Sequence, residues 1–156
     1  MVNLEQMHKY GEEIERRLRL QTFPLAIKLL QGEEDIPKGV VRPKRDLGYH
    51  LLLCQAFQMS RSMGMTIAML KEDMWCFEPV IGYGLAEPPQ YFLEGHNRFP
   101  DDVETLEAGS NYAREFPRLE SGKYIGIISA PLMTTNFEPN VVMIYCNSAQ
   151  LTILLL

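Results

Sequence analysis

Two apolar runs, residues 124–129 (YIGIIS) and 141–145 (VVMIY), constrain the fold more than any other part of the chain. Each is short, rich in strand-forming residues and without the polar alternation of a half-solvated strand, so each reads as a strand covered on both faces. Residues 23–30 (FPLAIKLL) and 66–70 (TIAML) read as two further strands, the first admitting Pro24 near its start, where a missing ladder donor does little harm. Helical patterns supply the cover. Asn3 is placed to cap a first helix in which Leu4, Met7, Gly11, Ile14 and Leu18 recur at steps of three and four, with Glu12 to Arg16 and Glu13 to Arg17 as acid-first pairs on the solvent side. A second helix is expected over 49–63, stopping at Gly64; another opens at Asp101 and Asp102 and ends at Phe116-Pro117. Asn147 with Gln150 forms a capping box for a terminal helix. Residues 31–48 and the Pro- and Gly-rich stretch beyond Trp75 read as loops. This order predicts an α+β fold, a mixed sheet of short strands packed against helices, in a single domain over 1–156.

Composition narrows the function classes. The chain has 156 residues, 46% of them apolar and 22% charged, enough for one domain with a sizeable core. Fifteen Lys and Arg against 20 Asp and Glu give a formal charge of −5, and the short Arg42-Pro43-Lys44-Arg45 cluster does not make the basic face that a nucleic-acid partner requires. The N-terminus is charged and amphipathic, and no long apolar run follows, so no membrane partner is expected and the chain reads as cytoplasmic. Three cysteines cannot all pair within one chain, and in a reducing compartment they serve burial, metal binding or thiol reactivity. The terminal LTILLL, apolar and without a polar cap, is expected to contribute to a homodimer or larger assembly.

Chemistry concentrates around two thiols. Cys76 lies between Trp75, the only tryptophan, and Phe77, ahead of the Gly82-Tyr83-Gly84 turn, where the backbone can approach a ligand closely. Cys54 is expected on the second helix, sharing one side with His50, Gln58 and Arg61. A histidine four residues from a cysteine suits a stabilised thiolate or a shared metal; burial of the thiol is the competing reading. Met59, Met63, Met65, Met69 and Met74 surround both cysteines, as soft ligands or as core filler. Glu72 and Asp73, read as strand neighbours, point to opposite faces and so cannot act as an acid and base pair. His96 reads as a loop histidine, and Ser129 lacks the glycines of a nucleophile elbow.

Taken together, RLQTFPLAIKLL, LCQAFQMSR, MLKEDMWCFEPVIGYGL, FPRLESGKYIGIISAPL and FEPNVVMIYCNSAQL resemble the DUF169 family of uncharacterised bacterial and archaeal proteins over nearly the whole chain. The resemblance implies a prokaryotic protein, of which this chain is the N-terminal portion, with Cys54 and Cys76 at characteristic cysteine positions and Cys146 where many relatives place glycine. It carries no reaction, and whether the protein is an enzyme stays open.

Two functions follow as expectations. In the first, Cys54 and Cys76 bind a soft metal ion or an iron-sulfur cluster, with the other ligands coming from outside this chain. In the second, the cysteines are structural and Trp75, Phe77 and Tyr83, joined by Tyr91 and Phe92, line an aromatic pocket of a non-catalytic module for a small planar ligand.

Overall fold

The computed structural model describes residues 3–156. Helix α1 (Leu4–Leu18) begins where expected, the Asn3 side chain accepting the Glu5 N–H, and it buries Met7, Gly11 and Leu18. On its solvent side Glu13 pairs with both Arg17 and Arg16, so Arg16 takes the carboxylate three residues back and not Glu12.

Four strands follow from the apolar runs: β1 (Leu25–Leu30), β2 (Ile67–Leu70), β3 (Gly126–Pro131) and β4 (Val141–Met143). They form one sheet in the order β2-β3-β1-β4. Among the described residues every strand pairing is antiparallel, so the sheet is not mixed; parallel pairing occurs there only as isolated bridges, Val41 with Ile67 and Leu51 with Met74. The α+β class holds. β3 is central and wholly buried, as its sequence requires. Gly126 is needed where β2 presses closest, since a Cβ there would lie 2.5 Å from the Met69 carbonyl oxygen. β4 departs from expectation: among the described residues it pairs with β1 alone and leaves Val141 and Val142 exposed, whereas β2, the other edge strand, is buried, so what β4 lacks is cover over its faces.

Helix α2 (Leu53–Met63) lies against β3, burying Ala56 and Phe57 and placing Ser60 Oγ 2.8 Å from Ser129 Oγ. Ser129 is thereby a core residue. The helix starts four residues later than its pattern suggests, because Leu51 is held by the bridge to Met74 and the Leu52 N–H is capped by the Gln55 side chain. Gly64 ends it in the left-handed conformation.

By its contacts the chain divides into two compact units, the residues up to Cys76 together with Ile125–Leu156, and Phe77–Tyr124. The first holds the sheet, α1, α2 and α6 (Ser148–Leu155). Its core joins Met7, Leu30, Val40, Ala68, Ile128 and Phe137. The second holds α3 (Phe77–Gly82), α4 (Gln90–Leu93) and α5 (Leu106–Glu115). The first two of these replace the expected loop, Pro79 being tolerated in a first turn, where a backbone N–H would have no helical partner and its lack costs nothing. α5 begins five residues beyond Asp101, at the residue after Thr105, whose hydroxyl caps the Ala108 N–H. Ile81, Phe92 and Ala113 make this unit's small core, with Phe77, Tyr112 and Phe116 meeting the Phe92 ring edge to face. Among the described residues no helix is long and apolar enough to cross a membrane.

Candidate functional site

The geometry around Cys54 and Cys76 is set by one buried carboxylate. Asp73 is wholly buried, and its oxygens accept from Arg42 Nε at 2.6 Å, from the Lys44 N–H at 3.0 Å and from the Leu70 N–H at 3.0 Å. Arg42 also donates to Glu72 at 2.6 Å. Residues 71–73 form a 3-10 turn in place of the expected strand, which is why neighbouring carboxylates meet the same guanidinium. Asp73 is thus neither solvated nor a free acid or base; it pins segment 42–47 to the end of β2.

That pin frames a short backbone pairing. The Leu51 N–H donates to the Asp73 carbonyl at 3.0 Å, and the Trp75 N–H donates to the Leu51 carbonyl at 2.9 Å. Cys54, second residue of α2, and Cys76, immediately before α3, therefore leave the same pair of bonded segments within three residues of it. Cys54 is exposed and Cys76 half-buried, so burial does not account for Cys54. Trp75 is 73% exposed, and its ring meets His50 edge-on at 6.0 Å. An indole so exposed does not serve as a lid on the core. His50 Nε2 in turn lies 3.3 Å from Lys44 Nζ. Because α2 begins after it, His50 does not continue the helical stripe of Cys54, Gln58 and Arg61; it reaches the site through Trp75.

The remaining candidates differ in their surroundings. Phe77 and Tyr83 belong to the second unit, where Phe77 packs on Phe92 and burial pushes the Tyr83 phenol upward. Phe92 is fully buried in that unit's core, and Tyr91 stacks on His96 at 5.4 Å, its hydroxyl donating to the His96 carbonyl. Met69 and Met74 are core residues, whereas Met63 is exposed. Among the described residues no three or more His, Cys, Asp and Glu side chains are arranged to hold a metal ion.

Two features have no counterpart in the sequence reading. An open apolar groove of about 620 Å³ runs beside α1, β4 and α6, with Tyr10, Ile14, Val142 and Ile153 in its walls. A polar pocket of about 340 Å³ surrounds Arg61. Both depend on contacts between elements far apart in the chain, which no local pattern announces.

The sequence profile of the DUF169 family, described as uncharacterised ArCR, matches residues 13–156, and the chain belongs to that family. Neither the curated proteins nor the solved structures contain a match to it.

Proposed function

We propose that this DUF169 member is a binding protein whose ligand sits on the surface carrying Cys54 and Cys76, and that the ligand is a soft metal ion or an iron-sulfur centre held by both thiolates. The observation that carries the reading is the backbone pairing of Leu51 with Met74 and Trp75, from which both thiols emerge, one of them exposed. Thiolates are the donors such centres take. Two thiols fill half of a four-cysteine set, and with no third donor grouped beside them among the described residues, the remaining ligands come from a bound molecule, a further segment or a second subunit. Such a centre, when bound, supplies Lewis acidity or one-electron transfer. The chain's own contribution is to fix the spacing of the thiols through the Asp73 pin and to shield one side with Trp75.

The exposed Trp75 ring favours a second reading, in which a planar organic ligand stacks on the indole and the cysteines only border it. Elemental analysis and visible absorption of anaerobically purified protein separate the two. The first reading expects a bound metal, lost in both Cys54→Ala and Cys76→Ala. A colourless, metal-free protein would leave only the second reading, for which Trp75→Ala abolishes ligand binding and the cysteine substitutions do not.

A further inference from the structure

The polar pocket of about 340 Å³ opens where the last turn of α2, the segment before β1 and the start of α6 meet. Among the described residues Arg61 is the only charged one in its lining, although the chain carries 20 Asp and Glu. No carboxylate pairs with Arg61 among the described residues. Its guanidinium is instead held by neutral groups: the Thr22 hydroxyl at 3.4 Å, the Gln58 side-chain oxygen, and the Tyr145 ring, over which it lies 4.2 Å from the centroid. These contacts orient the cation without neutralising it, and most of its N–H donors are left over.

The neighbouring groups repeat the imbalance. Gln150 is fully used, its side-chain oxygen accepting the Asn147 N–H at 2.8 Å and its amide donating to the carbonyls of Leu18 at 2.9 Å and Arg19 at 3.1 Å. The Asn147 oxygen is likewise taken by the Gln150 N–H at 2.9 Å, which leaves its NH₂ as a donor. The Thr22 hydroxyl accepts from Arg61 and keeps its own proton to donate. The pocket therefore holds an oriented cation and spare donors, with the side-chain oxygens of Asn147 and Gln150 already engaged, and its size lies at the lower end of small-molecule sites, roughly 300–1,000 Å³.

We infer that this pocket binds the anionic group, a carboxylate or a phosphate, of a small metabolite, with Arg61 as its principal contact and Asn147 and Thr22 as flanking donors. The site belongs to the first unit and shares no residue with the surface around Cys54 and Cys76, so either can fail without the other.

Titration of isotopically labelled full chain with inorganic phosphate, and separately with acetate, at low ionic strength tests the assignment by nuclear magnetic resonance. Saturable shifts of the Arg61 side-chain N–H and of the Thr22 and Asn147 amides are expected, the tighter of the two probes identifying which anionic group the site prefers. Arg61→Gln weakens binding about tenfold or more, as loss of a charge-assisted contact requires. Gln21→Glu, at an exposed position on the rim, weakens it by repulsion while leaving the Arg61 packing in place. Absence of saturable shifts with either probe, or unchanged affinity in folded Arg61→Gln or in Gln21→Glu, overturns the inference.

Discussion

Asp73 joins the 42–44 segment to the end of β2 through one side chain, with Arg42 only 12% exposed beside it. Removing the carboxylate would leave the guanidinium only its solvent-exposed partner Glu72 and free two backbone N–H groups. Asp73→Ala is expected to destabilise the fold by about 3–5 kcal/mol in urea denaturation, the range for breaking a buried ion pair from one side; a loss below about 1 kcal/mol would show that the pin does not organise the site. None of this was legible locally. Asp73 sits among Lys71 and Glu72 in a run that looks solvated, and its decisive partner is 31 residues away. The exposure of Cys54 escaped the sequence for a related reason: a helical cysteine in an apolar run reads as core, and which side of the helix meets β3 is fixed only by the tertiary packing.

At the scale of elements the sequence was most readable where caps and periodicity agreed. Asn3, Gly64 and the Asn147–Gln150 box mark helix ends as their chemistry dictates. Thr105→Ala is expected to cost about 1 kcal/mol through loss of the cap on α5, measurable by thermal unfolding. Misplaced starts had specific causes: the Leu51 bridge delayed α2, and the true cap at Thr105 lay beyond the more obvious Asp101 and Asp102. The turn at 43–47 carries a pH signature. The Asp46 carboxyl is lowered to about 2, first by the hydrogen bond from Arg45 and then by the Arg42 N–H at 2.7 Å. Its folded value lies below the unfolded one of about 3.9, so its contribution is complete above about pH 4 and is lost as pH falls through about 2. Hydrogen exchange at the Arg42 amide should accelerate relative to the β1 amides across that window. A constant ratio would mean that Asp46 does not hold the turn.

Over the whole molecule, the α+β class and the four strands were legible because apolar runs bounded by turn residues leave few alternatives. The division into two compact units was not, since the Pro- and Gly-rich stretch beyond Trp75 reads as loop and gives no local sign that it packs a small core of its own. The structure leaves an apolar surface along β4 and α6, with Val141, Ile153 and Leu155 at least half exposed. Such a surface favours association, and a homo-oligomer is the expected state. Leu154→Glu combined with Leu156→Glu should lower the mass seen by light scattering to that of one chain. A wild type that is already monodisperse and monomeric at high concentration would contradict that expectation.

The central claim is that Cys54 and Cys76 act jointly on one ligand. Cadmium titration of the reduced protein under anaerobic conditions, followed through sulfur-to-metal charge-transfer absorption, tests it most directly. A saturable band is expected that persists in Cys146→Ala and is lost in both Cys54→Ala and Cys76→Ala. A band that survives intact in either of those two variants, or that never forms in the wild type, would contradict it.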